Sequence, residues 1–474
     1  MNGSCHPLPW VLRAPDVPYF MTEDGASWTP IGQNDAVNWP ELNGLWRRRD
    51  LPGVERHLRW LVAHGVTVLR LMLEYAQDDR RYIEKPVGRW NPPMVQLWDD
   101  LFALCEAAGL RILLTPIDSF FTWNRWAAHP WNTANGGPCP SRRKLLTHPG
   151  ARAAMKARLA FATERWGGSG VLFAWDLYNE IHPAQGENNA PACFRDYIDD
   201  IGPWLRTLET RLHGRPHLQC VSVFGPELIW KPWIAEPIFR NRNIDFTNSH
   251  FYEEGTIDDP RDTVAPAVAV GKLVVDALSE IDDGRPFFDS EHGPIHSFKD
   301  HRRTLPEPFD DEYFRHIQWA HLASGGAGGG MRWPNRHPHV LTPGMRQAQL
   351  ALARFLPLVD WLQFRRRPLG VDLHVDTSGI AAFGCGDAAQ ALVWLLRRKP
   401  ILPDGCIAQH EAPARVHVPG LADGAYEAVL WETRTGTERG RLTARPEMGR
   451  LTLDLPAFAG DVAVIIQSCE RHNN

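Results

Sequence analysis

Two glutamates at the ends of apolar segments are the first candidates for chemistry. Glu180 follows the segment AWDLYN, and Glu291 follows the segment RPFFDS. A glutamate at the end of a buried strand can also cap the next helix or bind a structural partner, so neither residue decides a function by itself. Two carboxyl groups that face each other across a cleft can cleave a glycosidic bond, because one protonates the leaving oxygen and the other attacks the anomeric carbon. The pair predicts glycoside hydrolysis if the fold brings both side chains to one cleft.

The segments around the two glutamates belong to a longer alternation of apolar runs and amphipathic stretches. Continuous apolar runs are typical of parallel strands covered on both faces, and amphipathic stretches that begin at proline are typical of helices. The predicted strands are Trp28–Gly32, Val66–Leu73, Arg111–Ile117, Val171–Tyr178, Leu218–Phe224, Ile244–Tyr252, Arg285–Ser290 and Gly328–Trp333. The predicted helices are Pro52–His64, Pro93–Ala108, Pro149–Trp166, Phe194–Leu212, Thr263–Ile281, Asp310–Ala323 and Pro343–Leu358. This alternation predicts an α/β fold, either a barrel or a doubly wound sheet.

The order of the predicted strands gives each glutamate a position. Glu180 closes the fourth strand and Glu291 the seventh, and in a barrel these strands lie nearly opposite each other. Polar groups at the carboxyl ends of barrel strands face the active site. We therefore predict a (β/α)8 TIM barrel over residues 1–358 as the catalytic domain. Beyond Leu358, strand-like segments separated by Pro, Gly and Asp turns predict a smaller antiparallel β-sandwich domain over residues 359–474.

Composition argues against several other classes of protein. The 474 residues carry a net charge of −5 without a run of like charges, which disfavours nucleic acid or an anionic membrane as a partner. No apolar run resembles a signal peptide or a membrane span, so a cytoplasmic location is the default expectation. The eight cysteines form no C-x-x-C pair and are expected to be mostly reduced, buried thiols. Most of the 20 tryptophans are expected in the core, and some can serve as platforms for sugar rings.

Motifs for other chemistries are missing or badly placed in the sequence. The glycine cluster over residues 325–330 follows a predicted helix, whereas a dinucleotide-binding fingerprint follows a strand. The sequence contains no P-loop and no G-x-S-x-G motif. His292 and His296 have helical spacing, but Pro294 between them is incompatible with a helical zinc site, and His337 and His339 flank a proline in a loop. We therefore expect neither a catalytic metal nor a cofactor.

Polar residues at successive strand ends resemble those of the glycoside hydrolases of clan A, most closely family 5. The matching positions are Asn179-Glu180 after strand four, Glu291 after strand seven, Arg70 in the strand-two segment VLRLM, His250 and Tyr252 in the strand-six segment SHFY, and Trp333 in strand eight. The resemblance covers the barrel and implies a retaining double displacement. In that mechanism Glu180 is the acid/base, Glu291 is the nucleophile, and a carbohydrate is the substrate.

The same resemblance implies roles for the residues around the two glutamates. Asn179 is expected to bind the sugar 2-hydroxyl, and Trp333 is expected to form the floor of the −1 subsite. Arg70 and Tyr252 are expected to contact the nucleophile and keep it ionised, and His250 is the strand-six histidine of the family pattern. A nucleophile needs a lowered pKa and a general acid needs a raised one, so the two glutamates should differ in this direction.

The end of strand three departs from the family pattern. The family usually has a histidine there, whereas this segment reads TPIDS, in which Asp118 is the nearest polar substitute. The loop that follows, Ser119–Thr147, lies on the active-site face and is rich in aromatic residues, among them Trp123. It can be a packed lid with its own small core, a row of sugar platforms, or both. Asp118 and Trp123 complete the predicted substrate site, and the change at Asp118 leaves open which sugar is bound.

The sequence leaves the substrate and the class of function open. An exo-acting β-glycosidase on oligosaccharides or small glycosides is predicted first, with an endo-β-mannanase or endo-β-glucanase as the alternative. A non-catalytic carbohydrate-binding barrel is the alternative from another class. A decayed site of that kind should have lost some of Glu180, Glu291, Asn179 and Tyr252, and all four are present.

Overall fold

The fold is given by a computed structural model that describes residues 7–74, 81–187, 191–295, 304–334 and 339–469. Over these ranges, parallel strands alternate with helices in the first three quarters of the chain, and antiparallel strands follow. None of the helices in these ranges is long and apolar enough to cross a membrane. The predicted fold class, a (β/α)8 barrel followed by a smaller antiparallel β-domain, is confirmed.

The parallel strands close into a barrel. Strand five has two parts, Leu218–Cys220 and Ser222–Phe224; the first part pairs with strand four and the second with strand six, which closes the sheet. In the described residues, the other barrel strands in chain order are Gly32–Asp35, Val68–Met72, Arg111–Thr115, Leu172–Asp176, Thr247–Phe251, Phe287–His292 and Met331–Arg332. Closure brings the carboxyl ends of strands four and seven to the same mouth of the barrel.

Barrel strand one lies further along the chain than predicted. Trp28, which the prediction placed in this strand, belongs to an N-terminal antiparallel sheet formed by Val11–Arg13, Phe20–Thr22 and Ser27–Trp28. The true strand, Gly32–Asp35, is polar because its side chains bond other polar groups inside the barrel, as Asn34 does with Arg70 at 2.9 Å. An apolar pattern therefore could not reveal it. The Phe20 ring of the N-terminal sheet packs 5.2 Å from Phe173, at the amino-terminal end of the barrel.

Helices cover the outside of the barrel and fix the strand ends. The longer helices among the described residues are Leu51–Ala63, Pro92–Ala108, Pro149–Trp166, Ala192–His213, Ala265–Ser279, Glu307–Ala323 and Pro343–Phe355, and Ser119–Asn124 and Pro226–Trp230 are short. Several begin at a proline, which lacks only an amide that the first helical turn would leave unpaired. The first helix is instead capped by Asp50, whose carboxylate accepts a hydrogen bond from the Gly53 amide at 2.9 Å.

Antiparallel strands of the C-terminal part share a second aliphatic core. In the described residues, one sheet contains Arg367–Pro368, Ile380–Gly386, Gln390–Arg397, Asp461–Ser468, Tyr426–Glu432 and Thr437–Ala444, and the other contains His374–Val375, Ala412–Pro419 and Arg450–Phe458. Thr437–Ala444 was not predicted, because it is a largely exposed edge strand without apolar alternation. Asp461 joins this part to the barrel helix Glu307–Ala323 by accepting from Arg315 at 3.1 Å. The division into domains at residue 358 remains a prediction.

Candidate active site

A cavity of about 150 Å³ opens at the carboxyl ends of the barrel strands. It is lined by Met72, Phe120, Phe121, Asn179, Glu180, Phe224, Tyr252, Glu291, Ile295 and Trp333. The structure thus brings five of the predicted site residues to one cavity: Asn179, Glu180, Tyr252, Glu291 and Trp333. Two further predicted residues, Arg70 and His250, are buried and contact the glutamates directly. Trp123 and Asp118 lie elsewhere.

Glu180 is held by an unusual turn after barrel strand four. Its φ of +45° is in the left-handed region, where a residue with a Cβ atom is uncommon and strained. The turn is fixed by its neighbours, because the amide of Glu180 donates to Oγ of Ser222 at 3.0 Å and the Ser119 hydroxyl donates to the carbonyl of Asn179. Neither serine was recognised from the sequence. This turn places the Glu180 carboxylate at the cavity, where about a fifth of the side chain is exposed (22%).

Glu291 has a donor for each of its carboxylate oxygens. Nη1 of Arg70 donates to Oε2 at 2.8 Å, and the Tyr252 hydroxyl donates to Oε1 at 2.7 Å. Glu291 belongs to barrel strand seven, whereas its two donors come from barrel strand two and from the residue after barrel strand six. Barrel closure therefore assembles this site from three strands, and the two donors fix the direction in which the carboxylate points.

Arg70 is the hub of the polar network beneath the cavity. Besides Glu291, it donates to Asn34 at 2.9 Å, to Asp176 at 2.8 Å and to Asn179 at 2.6 Å. Burial opposes the charge of Arg70, but Asp176 and Glu291 outweigh this effect and raise its pKa. Because an arginine can only donate, Oδ1 of Asn179 must face it, and Nδ2 of Asn179 is left for a ligand. Asn34 was not predicted as a site residue, because its only signal in the sequence is a polar run at a strand end.

His250 lies between the two glutamates. Its Nδ1 is 2.9 Å from Oε1 of Glu180 and 3.7 Å from Oε2 of Glu291, and its Nε2 is 3.1 Å from the Ser290 hydroxyl. One carboxylate oxygen of Glu180, one ring nitrogen of His250 and one carboxylate oxygen of Glu291 all lie within 4.8 Å of one another. The two carboxyl groups are therefore close enough for one small reacting centre to contact both.

Burial and His250 set the pKa values of the two glutamates. Burial raises the pKa of Glu180, but the hydrogen bond and charge of His250 outweigh it, and the pKa lies below its usual value. Burial raises the pKa of Glu291 against the effect of His250 and Arg70, and the charge of Glu180 adds to the rise. The expected directions are wrong for this arrangement, because His250 bonds to Glu180 rather than to Glu291. Each carboxylate therefore affects the other, because the charge of Glu180 favours the protonated form of Glu291.

Asp118 does not line the cavity. It is buried at the start of the short helix Ser119–Asn124, where its Oδ1 accepts from the amides of Phe120 and Phe121 at 3.0 and 3.4 Å. Burial raises the pKa of Asp118 to about 8, against the effect of these backbone hydrogen bonds. In this position the carboxyl caps the helix that carries Phe120 to the cavity. Direct contact of Asp118 with a sugar remains a prediction without geometric support.

Part of the aromatic loop after barrel strand three is packed core and part of it lines a cavity, and its role as a sugar platform stays a prediction. Phe121 and Trp131 are buried, and the indole of Trp131 donates to Glu84 at 2.8 Å, so this part is a packed core. Phe120 and Trp123 instead line a second cavity of about 410 Å³, in which Trp230 is 68% exposed. This second cavity shares Phe120, Glu180 and Phe224 with the first cavity, so the two are continuous beside Glu180.

Two groups of side chains have the spacing of metal ligands in the described part of the chain. The first is Glu180, His250 and Glu291, and the second is Asp35, Glu41 and His57. The first group is poorly suited to a cation, because the charge of Arg70 is already placed 2.8 Å from Glu291. His296 and His337, two histidines considered in the sequence analysis, lie outside the described residues.

Known proteins that resemble this chain were found through structure alone. No protein-family model matches the chain, and no curated protein matches it in sequence. A glycoside hydrolase of family 5 from Bacteroides vulgatus superposes with a TM-score of 0.59 at 12% identity, covering 97% of this chain and 94% of that one. An endo-β-1,4-mannanase from Thermotoga petrophila gives 0.52 at 12% identity, covering 92% and 97%. An exo-β-1,4-mannosidase from an Opitutaceae bacterium gives 0.51 at 18% identity, covering 68% and 55%.

These likenesses confirm the predicted resemblance at the level of the fold. The Bacteroides and Thermotoga structures match nearly the whole chain, so the arrangement of a barrel followed by a β-domain occurs in both. At such low identity, the activities of these proteins do not transfer to this chain by similarity. The chemistry has to be argued from the cavity itself.

Proposed function

We propose that this protein is a retaining β-glycoside hydrolase in which Glu180 is the acid/base and Glu291 is the nucleophile. The observation that carries the proposal is the spacing of the pair, with one oxygen of each carboxylate within 4.8 Å of the other. Retaining enzymes have carboxyl groups about 5–5.5 Å apart, whereas inverting enzymes need roughly 6.5–9.5 Å to admit a water molecule. The short spacing favours direct attack by one carboxylate on the sugar.

The donors around each glutamate assign the two roles. Arg70 and Tyr252 bond both oxygens of Glu291 and compensate its charge, which suits the group that must be ionised when it attacks. Among the described residues, the Glu180 carboxylate has one side-chain hydrogen-bond partner, His250, and it borders the second cavity, where a leaving group would lie. In the productive form, Glu180 carries a proton and Glu291 is ionised.

The reaction then proceeds in two displacements. Glu291 attacks the anomeric carbon, and the bond to the leaving oxygen breaks as that oxygen takes the proton of Glu180. Water then hydrolyses the ester between the sugar and Glu291. The water oxygen attacks the anomeric carbon while Glu180 takes a proton from the water, and the carboxylate of Glu291 is released. Each displacement inverts the carbon, so the product keeps the configuration of the substrate. Asn179 binds the 2-hydroxyl through its Nδ2, because its Oδ1 is engaged by Arg70.

We propose exo action on oligosaccharides or small glycosides. The first cavity is small, about 150 Å³, and continues beside Glu180 into the larger second cavity, which fits one sugar in the first and the leaving group in the second. Trp123 and Trp230 give the second cavity apolar faces for a sugar or an aromatic leaving group. The alternative is an endo-β-mannanase or endo-β-glucanase, because one structural relative is an endo-mannanase and another an exo-mannosidase with nearly equal TM-scores.

A panel of aryl β-glycosides tests catalysis and the identity of the sugar together. Aryl β-mannosides should be hydrolysed first, since two of the structural relatives are named for mannosidase or mannanase activity. Proton NMR of the first product formed should show the β anomer. Early appearance of the α anomer would establish inversion, and binding without turnover across the panel would favour the non-catalytic carbohydrate-binding barrel.

Azide rescue separates the two glutamates. Glu291→Ala with azide should give the glycosyl azide of inverted configuration, because azide enters the place of the nucleophile. Glu180→Ala with azide should give the retained glycosyl azide, because Glu291 still forms the ester. The opposite pattern of products would show that the two roles are exchanged.

A further inference from the structure

A second cluster of metal-ligand side chains lies at the end of barrel strand one. Asp35 is the last residue of that strand, Glu41 lies in the loop that follows, and His57 belongs to the helix Leu51–Ala63. One donor atom from each residue lies within 4.8 Å of the other two. We propose that Asp35, Glu41 and His57 bind a divalent cation of the zinc type, at a site separate from the catalytic pair.

Two buried atoms of this cluster that could bind a metal have no hydrogen-bond partner among the described residues. They are Oδ2 of Asp35, whose residue is only 5% exposed, and Nε2 of His57. Buried polar atoms are normally bonded, so two orphans in one cluster point to a ligand that both would contact. Nε2 of His57 lies 3.4 Å from Oε2 of Glu41 without hydrogen-bond geometry. Ligands on a tetrahedral ion with bonds of about 2.0–2.1 Å are about 3.4 Å apart, which matches this spacing.

The charges of the cluster also favour a cation. Arg346 is the nearby positive charge, with Nη2 3.6 Å from Oε2 of Glu41, while its Nη1 donates to Gln33 and Gln349. One guanidinium does not balance the buried carboxylate of Asp35 together with the half-buried carboxylate of Glu41.

The mixed donor set selects the kind of cation. Calcium and magnesium take oxygen ligands, whereas zinc binds imidazole nitrogen as well as carboxylate oxygen. The loop that carries Glu41 also carries Trp39, whose ring lies 5.1 Å from that of Trp333 at the catalytic cavity. A cation at this site would fix the loop to barrel strand one and to the first helix, and so support the position of Trp333. Its expected role is structural.

Zinc titration of the full-length protein tests the site. After removal of metal with a chelator, calorimetry should show one equivalent of Zn²⁺ bound per chain, and Zn²⁺ should raise the temperature of thermal unfolding. Asp35→Asn and His57→Ala should each weaken binding by at least about 10–100-fold, the loss caused by removing even an outer-shell partner. The matched control is His64→Ala, because His64 follows the same helix but contacts Trp60 rather than the cluster. This control should bind Zn²⁺ like the wild type.

Three outcomes would overturn the site. The first is a wild-type chain that binds no stoichiometric Zn²⁺. The second is equal affinity in Asp35→Asn, His57→Ala and the wild type, which would indicate an adventitious ion only. If both variants fail to fold, Co²⁺ bound to the wild-type chain tests the site instead. Its visible spectrum should show ligation by nitrogen and oxygen. The third outcome that would overturn the site is the spectrum of hydrated Co²⁺. None of these measurements uses glycoside hydrolysis, so the proposed catalytic function can fail without affecting them.

Discussion

Two buried clusters in the barrel each contain one arginine, one histidine and two glutamates, and the difference between them separates structure from chemistry. The cluster that holds the aromatic loop contains Arg158, His129, Glu74 and Glu84, and the catalytic cluster contains Arg70, His250, Glu180 and Glu291. In the loop cluster the glutamate side chains are 1% and 2% exposed, whereas in the catalytic cluster they are 11% and 22% exposed. The catalytic cluster therefore has carboxylate surface left for a substrate.

In the loop cluster, hydrogen-bond donors compensate the charges of the buried glutamates. Glu74 accepts from Arg158 at 2.9 Å, from the amide of Ile83 at 3.1 Å and lies 3.2 Å from Nε2 of His129. Burial alone would raise the pKa of Glu74, but Arg158 and His129 outweigh it and lower the pKa to about 2. In the catalytic cluster, Arg70 is shared among more acceptors, including Asp176, and burial together with the charge of Glu180 raises the pKa of Glu291. A carboxylate whose oxygens are saturated with donors is inert, whereas carboxylates with shifted pKa values at a cavity are typical of reactive sites.

Loss of the nucleophile should produce the largest effect on activity. Glu291→Gln keeps the shape of the side chain but cannot attack, so kcat on an aryl β-glycoside should fall by at least about 10⁴-fold. The folded state should persist, because Asp176 still compensates the charge of Arg70 at 2.8 Å. Stopped or discontinuous assays over long times measure the residual rate. A loss below tenfold would remove Glu291 from the nucleophile role.

The matching change in the loop cluster should affect stability instead. Glu74→Gln leaves the buried Arg158 and His129 with less compensation, and breaking a buried ion pair costs about 3–5 kcal/mol. Chemical unfolding followed by circular dichroism measures the change, with Glu291→Gln as the control. We expect activity per folded molecule to stay within a few-fold of the wild type. A variant as stable as the wild type would contradict the comparison of the two clusters.

Removal of His250 should move the pH dependence of catalysis. The hydrogen bond from His250 lowers the pKa of Glu180, so His250→Ala should raise that pKa and keep Glu180 protonated to higher pH. Such a bond to a charged group contributes about 1.5–3 kcal/mol, and one pKa unit corresponds to about 1.4 kcal/mol. The basic limb of kcat/KM against pH should therefore shift upward by about one to two units. A downward shift of that limb would contradict the assignment of Glu180 as the acid.

Asp118 should give the smallest effect on activity, and its effect should be visible mainly in the pH dependence of stability. Its pKa is raised to about 8 in the folded state, above the value of about 3.9 expected in the unfolded chain. The folded state therefore binds the proton more tightly, and this contribution to stability is lost as the pH rises from about 4 through 8.

Asp118→Asn should remove this dependence while its side-chain oxygen still caps the helix. The difference between the thermal unfolding temperatures of the variant and the wild type should increase in favour of the variant from pH 5 to pH 8. Parallel curves for the two proteins would show that Asp118 is ionised in the folded state.

The local sequence determined the alternation of strands and helices and the two glutamates at the strand ends. Runs such as Arg111–Thr115 are apolar because helices cover them, and the helix Pro149–Trp166 begins at its proline, so both could be predicted from neighbouring residues alone. Gly32–Asp35 could not be, since its polar side chains are explained only by partners far along the chain, as Asn34 is by Arg70.

Tertiary structure alone decided the direction of side chains and their partners. Asp118 could equally have faced the sugar, but the fold turned it onto the amides of the following helix. The pKa values of Glu180 and Glu291 depend on His250, a residue from a third strand that lies between them only after barrel closure. The type of a residue and its place along a strand are local properties, whereas the electrostatic environment depends on atoms that only the closed barrel brings together.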